Sequence, residues 1–176
     1  MSHYAVIAIG ADRPGIVAAL TGTLYERGAN LEDVASSILR GHFAIMLVVD
    51  APAGSGAGEL EEALRGAVEP IGVAVSVRDV EAGAPRRVTA THALIAYGAD
   101  RPGIVAGLTA LLAGSDVNIT DLSCRLAGEG PAVYVLVAEV AVPAGRDAEA
   151  LRGEIEARGR ELGVDVTFRP IETDTL

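Results

Sequence analysis

The chain has 176 residues, half of them apolar and 22% charged, with a formal net charge of −10. Such apolar content excludes intrinsic disorder, the acidic balance speaks against direct nucleic-acid binding, and the single cysteine, Cys124, excludes an internal disulfide or a multi-cysteine zinc site. With aromatic residues at 3% and no tryptophan, the core must be built from Val, Ile, Leu and Ala, and stacking on bases is not expected.

The first residues, MSHYAVIAIG, lack a basic, signal-like start, and no apolar run nears the roughly 20 residues that span a bilayer. A soluble, cytoplasmic protein with no membrane partner is expected, with Cys124 as a small core residue in a reducing compartment. In chain order, YAVIAIG reads as a strand that ends at Gly10, followed by Ala-Asp-Arg-Pro-Gly. Pro14 suits the first turn of a helix, and Ile16, Leu20 and Leu24 recur at helical spacing until Arg27-Gly28, where Gly offers a left-handed cap. Asn30 leads into a second strand, LEDVASSIL, and Arg40-Gly41-His42 turns the chain into the apolar run FAIMLVV. That run lacks clean alternation and is placed at the centre of a sheet. A Gly-rich spacer, APAGSGAGE, reads as mobile; after it Leu60, Leu64 and Val68 mark an amphipathic helix, and VAVSVRDV closes the unit with period two.

The same order then begins again. GADRPGIVA at 10–18 is repeated without change at 98–106, an offset of 88 residues, and the register extends to Leu108, Thr109, Leu112, Asn118, Ile119 and Asp121. HALIAYG, the helix stripe Ile104, Leu108 and Leu112, the strand VNITDLSCRL, a turn at AGEGP and the central strand AVYVLVA follow. A helix with Leu151, Ile155, Arg158 and Leu162 carries Glu154–Arg158 and Glu156–Arg160 as expected i,i+4 pairs, and VDVTFRP closes the unit. Each half is therefore a βαββαβ unit, an α+β, ferredoxin-like arrangement with an antiparallel sheet and helices on one face. The expected domains are 1–82 and 92–176, with a linker at 83–91.

The nonamer falls where a strand ends and a helix begins. The N–H groups of Gly15, Ile16 and Val17 have no intrahelical acceptors, and the helix dipole favours an anion there. Gly15 and Gly103 let a ligand approach the backbone, so a carboxylate or a phosphate suits the loop. The plain alternative is that Asp12 and Asp100 merely satisfy loop N–H groups. Asn30 and Asn118 offer donors and an acceptor for a zwitterion, or serve only as turn residues. They are read as lying beside the loop because both strands belong to one small sheet. Arg13 and Arg101 either pair with a ligand carboxylate or are simply solvated. His3, His42 and His92 stand without Cys or carboxylate companions in sequence, so no metal site is expected, and no catalytic motif is present. No cofactor and no catalytic residue is assigned.

The Asp-Arg-Pro-Gly loop, the Gly-Ala-Asn-Leu and Asp-Val-Asn-Ile lead-ins to the second strand and the βαββαβ order resemble a tandem pair of ACT domains, similar to the glycine cleavage system transcriptional repressor family. The resemblance covers essentially the whole chain. It implies a non-enzymatic regulatory protein that binds a small amino acid at interfaces between ACT units and passes the signal to a protein partner such as a transcription regulator, as a homodimer or higher homo-oligomer. It implies ligand contacts from Asp12, Arg13, Gly15, Ile16, Asn30 and Leu31, and from Asp100, Arg101, Gly103, Ile104, Asn118, Ile119 and Leu122. Two other readings stay open: a ligand-free ACT pair that serves protein interaction, and an acylphosphatase-like hydrolase.

Overall fold

The structure, a computed structural model, describes residues 2–81, 88–127 and 133–171. The chain divides into two compact units, Met1–Pro85 and Arg86–Leu176. The first runs β1 (Ser2–Ala11), α1 (Ile16–Glu26), β2 (Asn30–Leu39), β3 (His42–Ala51), α2 (Ala57–Val68), a short 3-10 turn (Glu69–Ile71) and β4 (Val73–Val80). The second repeats it as β5 (His92–Ala99), α3 (Ile104–Gly114), β6 (Asn118–Ala127), β7 (Val133–Ala141), α4 (Ala148–Leu162) and β8 (Val164–Pro170). The sheets are antiparallel, with orders β2-β3-β1-β4 and β6-β7-β5-β8, so the runs expected at the centre are central. The turn AGEGP lies mostly outside the described residues.

Each core forms because one face of the sheet meets the apolar stripes of two helices. In the first unit Val6, Leu47 and Val49 pack with Leu20, Leu24 and Leu64; in the second Leu94, Leu136 and Val140 pack with Leu108, Leu151 and Ile155, all 2% exposed or less. Helix α1 ends where Gly28 turns left-handed at φ 69°, and in the second unit Asp116 takes that place at φ 56°. In the first hairpin Arg40 and Gly41 take the positive φ values, 49° and 79°, and His42 already belongs to β3.

Burial fades at one edge of each sheet, on β2 and β6, while the opposite edges β4 and β8 keep Val73, Val77, Val164 and Phe168 in the core. All ten residues of β2 are exposed, with Val34 at 50% and Ile38 at 56% even though they share the helix-facing side with Leu47 and Phe43. This corrects the core reading of Cys124: it lies on the edge strand β6, beyond the cover of the helices, and is exposed. The spacer after β3 is tied down, since the hydroxyl of the buried Tyr4 donates to the Ser55 carbonyl. The ion pairs of α4 also differ from the expected ones. Arg146, just before the helix, reaches both Glu154 oxygens at 2.7 Å; Arg158 turns to Glu161 at 2.7 Å, and Glu156 faces Arg152 at 4.0 Å. A cation ahead of the helix takes Glu154, Arg158 takes its i,i+3 neighbour, and Glu156 keeps i,i+4 spacing but toward Arg152 on the preceding turn.

Candidate functional site

The first loop leaves β1 with the Asp12 N–H donating to the Gly41 carbonyl at 2.8 Å, which fixes it against the β2–β3 hairpin. Gly15 is the N-cap of α1 at φ 99°, and Gly103 is that of α3 at φ 98°, a left-handed conformation that side chains rarely adopt. Gly10 is required for a different reason: a Cβ there would lie 2.8 Å from both the Gly72 oxygen and the Val73 side chain. Ile16 and Ile104, each 2% exposed, face the cores and offer only their backbone to a ligand. The fold thus accounts for Gly10, Gly15 and Ile16 in the nonamer. It does not account for Asp12 and Arg13, which are exposed.

The plain alternative for Asp12 is not what the structure shows. Neither α1 nor α3 has a side-chain cap or an acidic residue in its first turn, whereas Asp147 caps α4 by accepting from Glu149 N at 2.9 Å and Ala150 N at 3.2 Å. The first intrahelical bonds at the loops come from Ala19 to Gly15 and from Gly107 to Gly103, which leaves the earlier N–H groups open to a ligand. In the first unit these groups border an open groove of about 520 Å³ lined by Asp12, Arg13, Ala18, Thr21, Ile38 and Phe43.

The second loop has the same letters in different surroundings. Arg101 lies over Gly163, its Nη1 3.0 Å from where a Cβ would project, while no side chain comes that close to Gly72, the corresponding residue. Tyr134 stands where the first unit has Phe43, each opposite the Gly that precedes the loop. Its phenol is pushed up to about 12 by a hydrogen bond to Cys124, by burial and by the charges of Cys124 and Asp100. The hydroxyl therefore stays a neutral donor beside Asp100.

The asparagines do not lie where position in one sheet suggested. Strand β3 separates β2 from β1, and Asn30 pairs with Asp50, which in turn pairs with His3 at the start of β1. Asn30 and Leu31 thus lie about seven residues of strand, or about 23 Å, from the loop of their own unit. Asn118 likewise starts β6 opposite Ala141 and borders an open groove of about 500 Å³ with Val88, Thr89, Asp116 and Pro143, with Ile119 next to it; Leu122 sits farther along the strand opposite Ala138. His3 also has companions that spacing could not reveal, the closest being Glu32 with its Oε2 3.3 Å from Nδ1. Among the described residues no group of three or more His, Cys, Asp or Glu could hold a metal, and no helix is long and apolar enough to cross a membrane.

Two ferredoxin-like units, each starting its first helix from the same uncapped loop, define a tandem repeat of one α+β domain. The chain belongs to the ACT domain family, whose pattern matches residues 3–78 and 93–169. Among curated proteins it is similar to a UPF0237 protein of Methanopyrus kandleri, 44% identical over 79 residues, which is 44% of this chain and 88% of that one. A crystal structure of an unknown protein from Galdieria sulphuraria superposes with a TM-score of 0.80 at 26% identity, covering 97% of this chain and 99% of that chain. A solved structure assigned as a glycine cleavage system transcriptional repressor shares the fold, with a TM-score of 0.74 at 18% identity over 98% of both chains.

Proposed function

We propose that this is a non-enzymatic, cytoplasmic regulatory protein that binds a small amino acid at its ACT loops and signals to a protein partner, such as a transcription regulator of amino-acid or one-carbon metabolism. The observation that carries the reading is the contrast among helix starts. Asp147 caps α4, yet α1 and α3 keep open N–H groups although an aspartate stands three residues before each N-cap. A ligand carboxylate suits those N–H groups, assisted by the helix dipole, and Asp12 and Arg13 supply the charges that select a zwitterion over a simple anion.

Gly15 and Ile16 contribute backbone donors; Gly103 and Ile104 do so at the second loop, flanked by Asp100 and Arg101. A ligand that also used an asparagine amide, with Leu31, Ile119 or Leu122 as apolar neighbours, would have to be shared between ACT units, because one unit holds Asn30 and Asp12 at opposite ends of its sheet. That requirement favours a homodimer or higher assembly. The differing surroundings of the loops make the first the stronger receptor, since Arg13 borders its groove while Arg101 is engaged at Gly163.

Calorimetric titration of the full chain with each proteinogenic amino acid tests this. Saturable heat from one or a few small amino acids, weakened by Ala18→Leu, which fills the groove from an exposed helical position, is the expected result. No heat from any of them would favour the ligand-free, protein-interaction reading.

A further inference from the structure

The helices cover one face of the first sheet and leave the other bare. Side chains alternate along a strand, so the residues between the buried Tyr4, Val6 and Ala8, and those between the buried Ile45, Leu47 and Val49, point to the bare face. An antiparallel sheet that meets water on one side carries polar residues there. The middle of this face is apolar instead, with Ile7, Ile9 and Met46 exposed to 45%, 52% and 49%.

Charge is distributed over the face so that it fits a copy of itself. The strand register puts Arg78, Ala5, Val48 and Asp33 in one row across β4, β1, β3 and β2, a cation at one edge and an anion at the other. Neither forms an ion pair among the described residues. A second copy, turned about a two-fold axis that runs along the strands between β1 and β3, lays its β2 over β4 and its β1 over β3. Asp33 then stands over the partner's Arg78, and symmetry makes the pair twice. Packed sheets lie about 10 Å apart, a gap that an arginine and an aspartate side chain can bridge between them.

The two rows beyond it carry no charge. One reads Ser76, Ile7, Met46 and Ala35, and the other Ala74, Ile9, Ala44 and Ser37. The same axis lays Ile7 over the partner's Met46 and Ile9 over the partner's Ala44. The face is about 19 Å across its four strands and about 30 Å along them, or about 570 Å² before side-chain relief, which approaches the roughly 800 Å² per partner of a stable interface. The second sheet of a partner copy would fit less well. Its corresponding rows hold Glu139 on the central strand β7, and Asp165 and Arg125 in the row of Tyr97; these charges would lie over Ala5, Ser37 and Ala74 without a partner.

We propose that the bare face of the first sheet is the contact between two copies of this chain, packed face to face about a two-fold axis along the strands, with Asp33 paired to the partner's Arg78 on both sides. The contact stands independently of what the loops bind.

Sedimentation equilibrium of the full chain tests it, and a reversible dimer is expected. Met46→Glu, at a half-exposed position outside the core, should weaken association about a hundredfold or more, whereas Val137→Glu, the corresponding outward position of the second sheet, should leave it unchanged. Asp33→Arg and Arg78→Asp should each weaken association about tenfold, and the two together should recover most of what either loses. These reversals lie at exposed positions and keep the test decisive should Met46→Glu fail to fold. A monomer at every concentration, a dimer that a folded Met46→Glu leaves intact, or no recovery in the double reversal overturns the proposal. A dimer broken by Val137→Glu instead would place the contact on the second sheet and overturn it as well.

Discussion

Replacing Gly15 by alanine isolates the backbone conformation on which the loop depends. At φ 99° and ψ −16° the residue lies where an L side chain is strained, yet a Cβ built there meets no atom within 4 Å. No clash is added, so the cost is the strain itself, about 1–3 kcal/mol, partly offset by about 0.4–1 kcal/mol gained from a less flexible unfolded chain. A net loss of about 1–2 kcal/mol is expected, and Gly103→Ala should match it because its φ is 98°. Gly22 is the control: it lies inside α1 with open space around it, and Gly22→Ala should gain up to about 1 kcal/mol. Urea unfolding followed by far-ultraviolet circular dichroism gives all three values. A Gly15→Ala protein as stable as its parent would refute the reasoning, since the loop would not be held left-handed and its N–H groups would not be presented as described.

The other predictions concern groups around the two loops. Asp147→Ala removes two capping bonds and should cost about 1 kcal/mol, while Asp12→Ala, which breaks no cap, should leave stability nearly unchanged; urea midpoints compare them directly. Because the folded-state value of Tyr134 is raised from 10.0 to about 12, the folded protein holds this proton where the unfolded chain has lost it. Its stabilising share is complete below the unfolded value and fades as pH rises through the interval between the two, so Tyr134→Phe should flatten stability in that alkaline range. Cys124, exposed on its edge strand, should react with a thiol reagent in the native protein without prior unfolding, and strong protection would contradict its placement.

Local signals and an internal repeat made the architecture legible. Pro14 and Gly28 bracket α1, the stripe Ile16, Leu20 and Leu24 is its buried face, and the nonamer gave the period that fixed two equivalent units. What the sequence hid depended on which strands are neighbours. Asn30 reads as lying beside Asp12 because both strands belong to one small sheet, but the insertion of β3 between β1 and β2 sends them to opposite ends. The same topology brings Glu32 to His3 across 29 residues of sequence and sets Asp50 between them, a grouping with no local signature beyond one aspartate closing an otherwise apolar strand. Cys124 looked like core because small apolar residues usually are; an edge strand beyond the helices overrides that tendency.

The central claim is that the repeated loop holds the carboxylate of an amino acid. Crystals grown with the amino acid giving the largest heat, compared with crystals grown without it, test it most directly. The account predicts difference density at the first loop, with carboxylate oxygens within hydrogen-bond distance of the Ile16 and Val17 N–H groups and the amino group turned toward acidic side chains. Full occupancy elsewhere on the protein, with Ile16 and Val17 N–H bound only to solvent, would contradict it.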